Sequence, residues 1–264
     1  MDNSGPGPAR PAEVPAEPAA QALPGQIAEL VGEISDATSR NAISPTRRRR
    51  LTAAIPRLAR RSGRATWFGV QSGSRWLTAE VLAMAPRLPV RDQLTLRAQF
   101  PGLTPEELAD ALIQGSARAA GAVGAAAGAA MVLPLPTAPV EVAIETLALV
   151  GIEIKLVAEL HEVYGQRAPG SPTERMLSYV AAWSHRRGVG LAPGGLALAV
   201  GSPLRRRLQR RLLARAGRSA TSLGPLLTGA VAGAVLNRRE TRRLGADVRD
   251  DLRQRSPQGT HWPS

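Results

Sequence analysis

Glu153 is the residue of this chain with the strongest claim to chemistry. On a helix over Val140 to Tyr164, turning 100° per residue, Glu141, Glu145, Lys155, Glu159 and Glu162 share one stripe, whereas Glu153 falls among Val142, Leu149, Val150, Ile154, Val157 and Leu160. A carboxylate on an apolar face must pair, take up a proton or hold a ligand, because an unpaired buried charge is strongly unfavourable. Meeting an arginine from a neighbouring helix would give it a structural role. Lining an apolar pocket between helices would instead make it the acid or base of an enzyme that handles a small molecule or lipid.

The remaining acidic and histidine residues do not assemble a site by spacing. His161-Glu162 begins like a zinc-binding H-E-x-x-H helix, but Val163, Tyr164 and Gly165 follow and the second histidine is absent. His185 and His261 lie on separate segments. Asp247, Asp250 and Asp251 share a helix face as metal carboxylates do, yet Arg243 with Asp247 and Asp251 with Arg255 stand at i,i+4, which predicts a solvated salt-bridge face. The absence of cysteine excludes disulfides, thiolate metal sites and a cysteine nucleophile. No metal, cofactor or catalytic residue is assigned.

Glycine patterns give packing rather than phosphate binding. Gly121, Gly124 and Gly128 do not match a dinucleotide loop, and Gly188, Gly190 and Gly194 follow a helix instead of a strand, so neither set brings a phosphate to a helix N-terminus after a βα turn. Gly124 with Gly128 and Gly229 with Gly233 are small-xxx-small pairs that let helices approach closely, in a soluble bundle or in lipid. They sit in two long uncharged stretches of the chain, Ala119 to Val140 and Ser219 to Asn237. The first is long enough to cross a bilayer as a helix, but it is poor in large apolar residues and interrupted by Pro134, Pro136 and Pro139.

The cations are the other pronounced feature. The net charge is +13, which favours anionic partners: lipid headgroups, an acidic protein or nucleic acid. Lys155 is the sole lysine among 34 basic residues, and with the abundant Ala, Gly and Pro this resembles the codon bias of a GC-rich bacterial genome. Leu204 to Gly217 sets Arg205, Arg206, Arg207, Arg210, Arg211 and Arg215 against Leu204, Leu208, Leu212 and Leu213, a basic amphipathic helix suited to an anionic membrane interface or to docking on its own core. Arg47 to Arg50, continuing to Arg57, Arg60, Arg61 and Arg64, form a second basic region. An aromatic content of 3% leaves few stacking platforms and disfavours nucleic acid.

These residues are positioned by helices throughout. Apolar spacing follows the helical period, as in Ile27, Leu30, Val31 and Ile34, and predicts an all-α bundle of roughly nine helices with small-residue packing and no sheet. Ser44-Pro45, Thr104-Pro105, Ser171-Pro172 and Ser202-Pro203 mark helix starts, and Thr104 to Glu107 and Ser171 to Glu174 have capping-box spacing. Gly165, Gly188 and Gly217 mark stops. Composition divides the chain into a disordered Pro/Ala/Gly-rich tail (1–25), an Arg-rich helical extension (26–87), a helical domain (88–255) and a second disordered tail (256–264). Met1 to Pro24 has Arg10 as its only cation and no apolar run of signal-peptide length, which predicts a protein that stays inside the cell.

Taken in order, Ala119 to Ala130, Pro134 through Pro139, the acidic helix ending at Tyr164-Gly165, and Gly224-Pro225 with Gly229, Gly233 and Asn237 resemble the EcsC-like family of bacterial proteins. The segment LVAELHEVYG, Leu156 to Gly165, is the most similar to actinobacterial members, and the resemblance runs from about Leu88 to Leu252. It implies a helical protein associated with bacterial membranes, in a family named for a member encoded beside components of an ABC transporter. It carries over no catalytic residue and does not extend to the Arg-rich N-terminal region. The expectation is therefore a non-enzymatic protein on the cytoplasmic face of the inner membrane, peripheral or partly inserted. Its partner would be the anionic surface or a membrane transport complex, with room for a homo-oligomer. A lipid- or small-molecule-handling enzyme built on Glu153, and a nucleic-acid-binding protein, are the alternatives.

Overall fold

The computed structural model describes residues 18–39, 53–55, 57–58, 74–130, 138–188 and 224–255. Every regular element among them is a helix: α1 Pro18–Ser39, α2 Ser74–Met84 continued by a 3-10 turn Ala85–Arg87, α3 Gln93–Gln99, α4 Pro105–Ala130, α5 Ala138–Val163, α6 Pro172–Arg187 and α7 Gly224–Arg255. The protein is an all-α bundle, as the apolar periodicity requires.

Local chemistry sets the boundaries that matter. At the start of α4, Thr104 N–H donates to Glu107 Oε2 at 2.8 Å and Glu107 N–H to Thr104 Oγ1 at 3.3 Å. Ser171 and Glu174 make the same reciprocal pair before α6. Each pair satisfies two donors that the helix ladder leaves without partners. After α5 the chain reverses at Gly165, with φ of 65°, and α6 ends on Gly188, with φ of 62°, both in the left-handed region that glycine enters without a Cβ penalty. The starts at Ser44-Pro45 and Ser202-Pro203 and the stop at Gly217 lie outside the described residues.

The helical register begins earlier than composition suggests. α1 starts at Pro18, inside the stretch assigned to a tail, and Leu23 is 1% exposed. Proline suits a first helical position, and one well-seated leucine repays the ordering of the adjacent turn in a segment otherwise short of large apolar groups. The boundary expected near Leu88 separates no cores. Leu23, Ile27, Val31 and Ile34 of α1 belong to the same apolar cluster as Ile55, Leu112, Leu160 and Leu252. Gly151 of α5 is the notch that admits α1: a Cβ there would lie 2.9 Å from Val31 Cγ2.

α5 is the axis of the bundle, in contact with α1, α2, α3, α4, α6 and α7. Every residue from Val140 to Leu160 is buried. The charged stripe of this helix therefore faces protein rather than water: Glu141, Glu145, Lys155, Glu159 and Glu162 are all among the buried residues. In its C-terminal half ion pairing replaces solvation: Glu159 meets Arg91 and Lys155, and Glu162 meets Arg167.

α4 and α7 form the most extensive helix pair and run antiparallel. At one end Glu106 meets Arg253 and Asp110 meets Arg249. Midway, Ile113 fills the space beside Gly245, and at the other end Gly124 lies against Gly233 and Asn237. The uncharged halves of both helices consequently lie side by side at one end of the bundle. Among the described residues no helix is long and apolar enough to cross a membrane.

Candidate functional site

Glu153 sits where α5, α6 and α7 meet, and its carboxylate is fully engaged. Oε2 accepts from Trp183 Nε1 at 2.9 Å and Arg187 Nε at 3.0 Å. Oε1 accepts from Thr241 Oγ1 at 3.1 Å and from Arg187 Nη2. These bonds occupy the four acceptor positions that a carboxylate offers. Arg187, the last residue of α6, also reaches Glu240 Oε2 at 3.2 Å and the Glu240 carbonyl at 3.3 Å, so one guanidinium joins three helices. The arrangement binds α6 and α7 to the axis and leaves no oxygen of Glu153 directed at a substrate.

A second charged cluster lies further along α5. Arg91 clasps Glu159 through Nε–Oε1 and Nη2–Oε2, each at 2.8 Å, and its backbone N–H adds a bond to Oε1 at 3.2 Å. Lys155 donates to the same carboxylate and to the carbonyl of Pro89. Burial pushes the Glu159 carboxyl upward, but Lys155 and Arg91 outweigh it and the net direction is down. Two cations on one carboxylate thus pin the segment between the 3-10 turn and α3 onto α5.

His161 and the acidic trio form no metal centre. The imidazole Nδ1 lies 2.8 Å from the Val157 carbonyl, and the ring packs 4.9 Å from that of Tyr179. Burial pushes its pKa down, the Val157 contact opposes this, and Arg255 and Arg186 lower it further. Asp251 accepts from Arg186 at 2.6 Å and from Arg255 at 2.8 Å, while Asp250 meets Arg249 at 3.3 Å. No group of side chains suited to hold a metal ion occurs among the described residues.

Arg205, Arg206, Arg207, Arg210, Arg211 and Arg215 lie outside the described residues, as do Arg47 to Arg50, Arg60, Arg61 and Arg64. Another basic surface, which spacing alone did not bring forward, is carried by α7. Val231 is 61% exposed and Val235 60%, with Leu236 beside them at 41%. Arg238, Arg239, Arg242 and Arg243 follow and are all exposed. At 100° per residue Val231, Val235, Arg238 and Arg242 fall within about 60° of one another. Asn237, Thr241, Leu244, Val248 and Leu252 occupy the opposite, buried face. The sole acid between Gly224 and Ala246 is Glu240, and it meets Arg187. The i, i+4, i+7, i+11 spacing of this stripe was present in the sequence but divided between an uncharged stretch and a charged one.

Fold and site together define an all-α bundle wrapped around a buried axial helix, with the uncharged halves of α4 and α7 paired beside exposed arginines of α7. No family model, curated protein or solved structure matches this chain.

Proposed function

We propose that this is a non-enzymatic protein that associates peripherally with the cytoplasmic face of an anionic membrane, as an accessory to a membrane or transport complex. The observation that supports this reading best is the pairing of the uncharged halves of α4 and α7 at one end of the bundle, beside uncovered apolar side chains of α7, in a chain of net charge +13. Such a surface gains both from electrostatic attraction to acidic headgroups and from burial of apolar area. The likeness to EcsC-like proteins belongs to the same proposal. The enzymatic alternative finds less support, because the donors around Glu153 account for its burial without a ligand.

Fractionation of cells producing the native protein tests the reading. Expected is recovery with membranes and release by high salt, since screening at 1 M ionic strength shortens the Debye length to about 3 Å. Retention through alkaline carbonate would show that the uncharged stretches insert. Recovery wholly in the soluble fraction, together with failure to sediment with anionic vesicles at low salt, would overturn the proposal. Salt-sensitive binding to duplex DNA in place of vesicles would favour the nucleic-acid reading.

A further inference from the structure

We infer that α7 engages the membrane end-on. Val231 and Val235 enter the acyl boundary, and Arg238, Arg239, Arg242 and Arg243 form a collar for lipid phosphates. This rests on the membrane reading above and assigns its contact surface.

The argument begins with the order of residues along the helix. A helix that lies flat in an interface separates apolar and basic residues around its circumference. On α7 they are separated along its length: the valines and the arginines share one outward stripe, with the apolar pair nearer the N-terminus. A polarity gradient along a helix axis matches a boundary that the axis crosses. At 1.5 Å per residue Arg238 stands about 4.5 Å beyond Val235, and Arg242 about 10 Å. The polar layer on each side of a bilayer is roughly 5 to 8 Å deep, so valines at the acyl boundary place these guanidiniums among the phosphates.

The neighbouring helix permits the same approach. Gly121 of α4 lies against Ala234 and Arg238 of α7, so the stretch of α4 that begins at Ala119 is level with the α7 stripe. Across this end neither helix offers an acid on the outward stripe, since Glu240 is turned to Arg187. Acidic lipid, rather than a second copy of the chain, is the occupant that fits. Three partly exposed side chains are far short of the roughly 800 Å² per partner that a stable protein interface buries. A lipid surface needs only a small apolar insertion supplemented by charge.

Because the chain has no cysteine, a single introduced thiol reports position without background. Val235→Cys carrying an environment-sensitive nitrobenzoxadiazole label is compared with Leu94→Cys, a 73% exposed position on α3 near the Arg91–Glu159 cluster, at the opposite end of the axis. On equimolar phosphatidylcholine–phosphatidylglycerol vesicles the label at 235 is expected to shift to the blue and brighten, and the label at 94 to stay unchanged. The double variant R238Q/R242Q, at exposed positions, should lower vesicle partitioning by about tenfold or more while retaining the wild-type circular dichroism. If the wild-type protein sediments with vesicles but the 235 label remains aqueous and R238Q/R242Q partitions normally, end-on contact is overturned while the membrane reading stands. If the protein does not sediment at all, both fall. A blue shift at 235 without lipid that grows with protein concentration would identify the stripe as a contact between copies.

Discussion

Lys155 donates through Nζ to the carbonyl of Pro89 at 2.6 Å, tying the middle of the axial helix to a loop 66 positions away. The same ammonium meets Glu159, which Arg91 clasps from the other side. In a chain that otherwise uses arginine for every cation, this is the one position that carries lysine. The Lys155 side chain is fully buried, and a compact ammonium on a slender stem fits between a carbonyl and a carboxylate where a planar guanidinium does not. Lys155→Arg should therefore destabilise the protein by about 1–3 kcal/mol through overpacking. Lys155→Met should cost about 2–4 kcal/mol by leaving the Pro89 carbonyl unpaired and removing one of the two cations on Glu159. Urea denaturation measures both, and a wild-type midpoint for Lys155→Arg would refute the size argument.

Arg187 serves two carboxylates of unequal burial. Its partner Glu153 has a side chain 3% exposed, whereas that of Glu240 is 30% exposed. Removing the guanidinium leaves a buried carboxylate with only Trp183 and Thr241 as donors, so Arg187→Ala should cost about 3–5 kcal/mol. Glu240→Ala should cost about 1 kcal/mol or less, because water compensates the more exposed partner. A double-mutant cycle between Glu153 and Arg187 should return a large coupling energy, and near-additivity would contradict the arrangement.

How far the sequence reveals this architecture depends on whether a feature is local. The capped starts at Thr104 and Ser171 and the reversals at Gly165 and Gly188 were legible, since each depends on a few adjacent residues. The anomalous placement of Glu153 was legible from helical phase, and its burial follows from it. Its partner Arg187, 34 positions later, was not, because ion-pair choice among so many arginines is settled only by packing. The stripe of Glu141, Glu145, Lys155, Glu159 and Glu162 shows the limit most clearly. Periodicity shows that these charges share a face but not whether water or Arg91 and Arg167 cover it.

The Glu159 cluster gives a pH dependence with a definite sign. Burial raises the carboxyl, Lys155 and Arg91 lower it more, and the folded value lies below the ordinary one. A depressed carboxylate contributes stability above the unfolded value of about 4.3, and that contribution is lost as pH falls through the lower folded value. Glu159→Gln should be less stable than wild type at pH 7, yet lose less on acidification below about pH 4. Thermal unfolding of both proteins at neutral and acidic pH checks this; parallel losses would show that other carboxylates govern the acid limb.

Gly124 and Gly233 face each other across the α4–α7 contact, and substitution should not affect them alike. A Cβ on Gly124 would lie 2.7 Å from the Asn237 side-chain Nδ2, inside van der Waals contact, and 3.1 Å from the Gly233 carbonyl oxygen, a tight approach to backbone. One on Gly233 would find its nearest neighbour, the Gly124 carbonyl oxygen, at 3.7 Å, an ordinary contact. Gly124→Ala must spread the helices or displace the buried Asn237, and should cost about 1–3 kcal/mol. Gly233→Ala removes conformational freedom from the unfolded chain without a clash, and should be neutral or stabilise by up to about 1 kcal/mol. Because the two positions share one contact, equal effects in thermal unfolding would mean that α4 and α7 do not pack in this register. The opposite signs expected here would confirm that Gly124 is the residue the close approach requires.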